Sequence, residues 1–197
     1  MNHELSVRSQ PLASAAPRVP AWLRATGIAL GGSVLMALCA HIALPLYFTP
    51  VPLTLAPFAA LLLGLLLTPR LAAATLGAYL AQGALGLPVF TPNGTGGLAH
   101  LLGPTGGYLL AYPAAAFLVS YLWRRTGRGF AAAALSAAAG NLAILACGAA
   151  WLGALTHLSA RLAVTLAVLP FLPGDALKIV AAAALTVGIN RLRRRNA

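Results

Sequence analysis

The sequence predicts an all-α membrane protein of six transmembrane helices, with both termini cytoplasmic and a long external loop between helices three and four. Three observations carry that expectation: the composition, the number of apolar segments, and the one-sided placement of arginine. Hydrophobic residues make up 60% of the 197-residue chain and charged residues only 8%, where a soluble globular domain carries roughly a quarter of charged residues. The mean hydropathy is +0.86. A chain of this length holds about six spanning helices of roughly 20 residues each, with short connections. The net charge of +11 does not point to nucleic acid, because the basic residues are dispersed between apolar segments and form no aromatic-interleaved basic face. Cys39 and Cys147 lie singly in apolar segments, so neither a disulfide framework nor a metal site is indicated.

The elements follow in order. Residues 1–21 mix Ser, Pro, Gln and isolated charges and read as a disordered cytoplasmic tail. The membrane domain runs over 22–190. Helix one covers about Trp22 to Leu44, and its small residues Ala25, Ala29, Ser33 and Ala37 recur every fourth position, which permits close helix approach. That stripe is either a docking face for a partner protein or an ordinary packing seam. The linker Pro45 to Pro52 holds three prolines with Tyr47 and Phe48, residues favoured at a membrane–water boundary. Helix two spans Leu53 to Leu67, about 22 Å at 1.5 Å per residue, and stops at Thr68-Pro69-Arg70. Helix three runs from about Leu71 to Leu85, with Tyr79 and Gln82 on adjacent turns of one face.

Gly86 to Gly107, rich in glycine and broken by Pro88, Pro92 and Pro104, is not a continuous helix. A loop of this length in a compact protein is more often functional than decorative, and irregular backbone at a membrane survives only beside protein or a polar cavity. Its glycines are no phosphate cradle, because no strand precedes them and no Walker lysine follows, so no nucleotide cofactor is expected. Helix four covers Tyr108 to Trp123, and helix five about Phe130 to Leu152. A connection through Thr156, His157 and Arg161 with a short apolar helix leads to helix six, which starts at Pro173 and ends before the basic tail 191–197.

The arginines test this division independently of hydropathy. With both termini inside, the inner segments hold Arg8, Arg18, Arg24, Arg70, Arg124, Arg125, Arg128, Arg191, Arg193, Arg194 and Arg195, and the outer loops hold only Arg161. This is the pattern of a multi-pass protein of the cell inner (cytoplasmic) membrane, with the lipid bilayer as its surroundings. The linker 45–52, the loop 86–107 and the start of helix six then share the outer side, where they can converge on one cavity.

At that last position stands Pro170-Phe171-Leu172-Pro173-Gly174-Asp175-Ala176-Leu177-Lys178. Ionisable groups in an apolar segment are costly and mark a site. Pro173 suits the first turn of a helix, Asp175 sits near the positive end of the helix dipole, and Lys178 follows one turn later on the same face. The alternative is an ion pair that only neutralises two buried charges.

Four stretches carry a family resemblance: Pro50-Val51-Pro52-Leu53-Thr54, Gly86-Leu87-Pro88-Val89-Phe90, Gly103-Pro104-Thr105-Gly106-Gly107-Tyr108-Leu109, and the Pro170 to Lys178 segment. In these the chain resembles the BioY family, the biotin-binding components of energy-coupling factor transporters. The resemblance spans all six predicted helices. It implies a six-helix protein that captures biotin from outside and works with a membrane coupling subunit and two cytoplasmic ATPases. The chain departs from the pattern at Ala56, where the family carries a glutamine, and the loop 86–107 holds no arginine, so His100 or a backbone N–H would have to meet a ligand carboxylate.

Biotin presents two ureido N–H donors, a carbonyl acceptor, an apolar sulfur ring and an acid chain. Asp175 can accept from the ureido N–H, and Lys178 can donate to the ureido oxygen or to the acid chain. Phe90, Tyr47 and Tyr108 are candidates for the apolar wall, and Asn93 or Gln82 for a further hydrogen bond. Tyr108 is equally interpretable as an interfacial anchor, Tyr47 and Phe48 read as belt aromatics before ligand contacts, and Gln82 and, more readily, Asn141 read as helix-to-helix bonds. Two other functions are weighed. An intramembrane enzyme needs a nucleophile and a base on one cavity, and Ser33, Ser120 and Ser136 lack a Gly-x-Ser-x-Gly setting. A binding component for another vitamin, riboflavin or thiamine, differs only in ligand.

Overall fold

A computed structural model of the chain describes residues 20–92, 94–127 and 129–196. The expected tail therefore lies almost wholly outside the described residues, as does Asn93. Eight helices and one short antiparallel ladder are found among those described: α1 (Ala21–His41), β1 (Ala43–Leu44), β2 (Leu53–Thr54), α2 (Ala56–Leu66), α3 (Pro69–Ala84), α4 (Leu98–Leu102), α5 (Gly106–Arg125), α6 (Phe130–Thr156), α7 (Ala160–Ala167) and α8 (Leu172–Arg195). Of these, α1, α6 and α8 are long and apolar enough to cross a membrane, and α2 is a shorter apolar helix.

The six longer helices fall where the apolar segments predict them, but α8 runs on through Arg195 rather than ending before the basic residues 191–195, and two further differences lie at the linker. Helix one ends at His41 rather than Leu44, and helix two begins at Ala56 rather than Leu53. The residues given up by both helices pair with each other, Ala43 with Thr54 and Leu44 with Leu53, and Leu55 N–H donates to Ile42 O at 3.1 Å. Backbone groups that cannot stay in a helix beside the three linker prolines are satisfied across this ladder. Proline also fixes the starts of α2, α3 and α8 within their first two positions, where no N–H is lost.

Helix α5 lies at the centre, packed on α2, α3 and α6. Gly64 of α2 and Gly140 of α6 both press on Val119 of α5, where an added Cβ at either would meet its side chain. The short α4 interrupts the expected irregular loop. Gly97 precedes it at φ +69°, a conformation that an L side chain rarely adopts.

The alternation of helices gives the bundle two distinct ends. The C-terminus of α1 and the N-termini of α2, α5 and α8 meet at one, with the loop between α3 and α5. Residues 65–66 of α2, 123–124 of α5 and 190–193 of α8 meet at the other.

Candidate functional site

The first end encloses a cavity to which each of the six longer helices contributes. Its walls include Ala40 of α1, Ala56 of α2, Tyr79 of α3, Tyr108 and Tyr112 of α5, Ile144 and Leu145 of α6, and Asp175 and Lys178 of α8; Thr91 and His100 come from the loop. All three motifs that flank the cavity enter it. Val51, Pro52 and Thr54 come from the linker motif, Thr105 and Tyr108 from the glycine-rich one, and Phe171 from the segment that opens α8.

Asp175 and Lys178 are 3% and 7% exposed. Lys178 Nζ donates to Asp175 Oδ1 at 2.9 Å, and Asn141 Nδ2 of α6 donates to Asp175 Oδ2 at 3.0 Å. Burying two ions is expensive unless their lone pairs and protons are satisfied. Here each carboxylate oxygen has one partner, which leaves acceptor capacity on both, and the ammonium keeps two further N–H groups. Asn141 Oδ1 is buried with no hydrogen-bond partner among the described residues. The cluster thus holds acceptors and donors beside a cavity, more than a closed ion pair requires.

The surrounding aromatics are fixed by hydrogen bonds of their own. Tyr108 Oη donates to Ala167 O of α7 at 2.6 Å, and its ring rests 6.1 Å from that of Phe171. Gly148 of α6 makes room for the Tyr108 ring, which an added Cβ would strike. Tyr79 Oη donates to Val89 O at 3.1 Å, and Phe90 packs edge-on against Tyr79 at 5.4 Å and stacks on His100 at 5.0 Å. His100 Nδ1 lies 2.9 Å from Thr95 O and its Nε2 3.3 Å from Thr91 Oγ1. Trp151 Nε1 donates to Gly103 O at 2.9 Å. The loop is therefore anchored to α3 and α6 on either side of the cavity.

The expected site residues divide accordingly. Asp175, Lys178 and Tyr108 meet in the cavity. Phe90 does not form its wall: it is buried one layer back, supporting Tyr79 and His100, which do. Gln82 is turned away from the cavity, accepting from Ser33 Oγ at 2.7 Å between α3 and α1, a partner on another helix that its position one turn after Tyr79 does not reveal. Tyr47 is fully exposed in the linker and touches no part of the cavity. The stripe on α1 also divides: Ser33 is buried in that seam, while Ala25, Ala29 and Ala37 are half-buried. Tyr112, Tyr79 and Asn141 were not expected in the site. Tyr112 follows Tyr108 by four residues, a signal that the sequence did contain. Ala56 presents only a methyl group to the cavity.

Several relatives and a solved structure are similar to this chain. The chain is 41% identical over 133 residues to a probable biotin transporter BioY of Pyrococcus horikoshii, covering 68% of this chain and 76% of that protein. It is 34% identical over 160 residues to the biotin transporter BioY of Thermotoga maritima, covering 81% and 92%. A crystal structure of the S-component for biotin from an ECF-type ABC transporter superposes with a TM-score of 0.80 at 25% identity, covering 89% of this chain and 95% of that one. The model of the BioY family matches residues 9–195, a span that includes every helix and the buried Asp175–Lys178–Asn141 cluster, and so this chain belongs to the BioY family.

Proposed function

We propose that this chain captures biotin as the substrate-binding component of an ECF-type vitamin transporter and is not itself an enzyme. The observation that carries the reading is the buried Asp175–Lys178 pair, held from behind by Asn141, whose spare acceptors and donors face a mainly apolar cavity. A ureido ring matches it: its N–H groups donate to the Asp175 carboxylate, and Lys178 donates to its carbonyl oxygen or to the acid chain. Tyr79, Tyr108, Tyr112 and Phe171 supply apolar surface for the sulfur ring. Biotin transporters among the relatives support this ligand over riboflavin or thiamine.

In this reading all six longer helices span the inner (cytoplasmic) membrane with both termini inside. The cavity then opens outward, and arginine is concentrated on the cytoplasmic side. The short α2 calls for linker and cap residues to complete its crossing. Energy for release comes from a coupling subunit and two cytoplasmic ATPases, with the half-buried Ala25, Ala29 and Ala37 offered on α1 as a close-packing docking edge.

Equilibrium binding of labelled biotin to the detergent-purified protein tests the proposal. Saturable binding of one biotin per chain, undisturbed by riboflavin or thiamine, is the expected result. A folded protein that binds no biotin, or that releases it to either vitamin, overturns it.

A further inference from the structure

The end of the bundle opposite the cavity carries a second pocket, lined by Leu65 and Leu66 of α2, Trp123 and Arg124 of α5, and Asn190 and Arg193 of α8. Its polar groups are two guanidinium ions, one amide and one indole N–H. The only hydrogen bond of these groups among the described residues is from Arg124 Nε to Ser120 Oγ at 3.4 Å, which leaves both Nη atoms of Arg124 and the whole Arg193 guanidinium without an acceptor. The Trp123 ring is mostly buried, while its indole N–H keeps some exposure at the pocket and has no acceptor among the described residues. The described residues contain one carboxylate side chain, Asp175, already paired with Lys178 and about 27 Å away from Arg193 along α8 at 1.5 Å per residue.

Topology accounts for arginines at this end but not for this arrangement. Cations near helix C-termini offset the dipole, and inner loops collect arginine in any event. Neither effect requires two guanidinium groups to line one pocket, where they repel, beside an indole ring and an amide. The α2 terminus does not use them either, since Leu67 O accepts from Ser120 Oγ at 2.6 Å. Arg125, by contrast, leaves the pocket to lie 4.7 Å over the Tyr121 ring.

We propose that this pocket binds the phosphate of an anionic phospholipid headgroup. A phosphodiester offers several acceptor oxygens to the planar guanidinium forks of Arg124 and Arg193 and relieves their mutual repulsion, with the Trp123 N–H and the Asn190 amide as further donors. Leu65, Leu66 and the Trp123 ring give it an apolar wall on which the glycerol and upper acyl chain rest, which an inorganic anion would not use. Basic pockets between helices at a membrane surface take such headgroups.

Native mass spectrometry and thermal unfolding of the full chain in detergent test this, with phosphatidylglycerol and phosphatidylcholine of the same acyl chains as probes. One phosphatidylglycerol should be retained per chain, at least about tenfold tighter than phosphatidylcholine, because both carry the phosphodiester but choline adds a cation beside the two guanidinium groups and cancels the net negative charge. The double variant Arg124→Gln/Arg193→Gln should lose that preference, and Trp123→Phe should weaken it. Arg191→Gln/Arg195→Gln removes the same charge outside the pocket and should keep it. Equal retention of both lipids, an undiminished preference in the pocket variant, or equal loss in the control variant overturns the proposal. Inorganic phosphate at millimolar concentration serves as a separate arm. If it matches the thermal stabilisation and displaces phosphatidylglycerol, the lipid assignment fails and the pocket is one for free phosphate. Should the pocket variant misfold, the Trp123→Phe and control variants decide between the outcomes.

Discussion

The two ends of this bundle handle charge in opposite ways, and α8 connects them. At one end Asp175 and Lys178 are buried, bonded to each other and to Asn141, and their net charge is zero. At the other, Arg124 and Arg193 are exposed and have no carboxylate partner among the described residues. The contrast follows from solvation. A lone ion in an apolar interior is intolerable, so charge is kept there only as a pair with its remaining bonds nearly filled. At a water boundary a guanidinium keeps its hydration, so it can stay without a protein partner and remain open to an anion from outside the chain. A change at the buried end therefore acts on folding and ligand together, whereas a change at the exposed end should leave both nearly untouched.

The largest effect is expected for Lys178→Met, which strands the Asp175 carboxylate in the interior with Asn141 as its only donor. Loss of one partner of a buried pair costs about 3–5 kcal/mol, measurable as a drop in detergent-solubilised unfolding stability, and biotin binding should vanish. The companion variant Asp175→Leu/Lys178→Met removes both ions and should regain most of that stability while still failing to bind. A single variant as stable as the parent would mean that water reaches the pair and that the contrast between the ends is false. Asp175→Asn also leaves a buried ion, the Lys178 ammonium, but is the milder change because it keeps shape and an amide oxygen that can still accept from Nζ. It should weaken biotin by about 1.5–3 kcal/mol in an equilibrium binding measurement. Parental affinity would remove Asp175 from the site.

Which parts of this arrangement were legible in the sequence follows from the range of the forces involved. The six longer helices were, because each is an apolar run closed by proline, glycine or arginine, and such signals are local. The Asp175–Lys178 pair was, since three residues on a helix fix its geometry. Tyr47, Phe90 and Gln82 lie outside the cavity wall for different reasons: Tyr47 points to the exterior of the linker, while Phe90 and Gln82 are turned by partners on other segments. Gln82 meets Ser33 forty-nine residues away, and Phe90 fits between Tyr79 and His100. Asn141 was noticed as a polar residue within a helix and read as a helix-to-helix bond. It is one, but its partner thirty-four residues on is the site's own carboxylate. The β1–β2 ladder left no signal beyond the prolines it encloses.

Close packing separates the ends as well, on a smaller scale. Gly148 touches the Tyr108 ring, and a methyl group there has nowhere to go, whereas Gly188, nearer the arginine end of α8, has nothing within 4 Å of an added Cβ. Gly148→Ala should cost about 1–3 kcal/mol by overpacking and should lower biotin affinity as the ring is displaced. Gly188→Ala should be neutral or stabilising by up to about 1 kcal/mol, the ordinary gain of alanine over glycine in a helix. Unfolding and binding measured on both variants test the pair. Equal effects would mean that the Tyr108 ring is free to move aside and is no fixed wall of the cavity.

The smallest effect is expected at Tyr47. Its side chain is fully exposed, with neither a hydrogen bond nor an aromatic partner among the described residues, although it lies only four residues before Val51, which does line the cavity. Tyr47→Ala should change biotin affinity by less than about twofold and stability by less than about 0.5 kcal/mol, as for an exposed residue without special contacts. Because the linker is held at its base by the Ala43–Thr54 and Leu44–Leu53 pairs, its tip stays outside unless a ligand draws it in. A tenfold loss of affinity in Tyr47→Ala, with stability unchanged, would show that the linker folds down onto bound biotin. The outer cover of the cavity would then have two parts, the anchored loop between α3 and α5 and a strap between α1 and α2 that closes only when biotin is present.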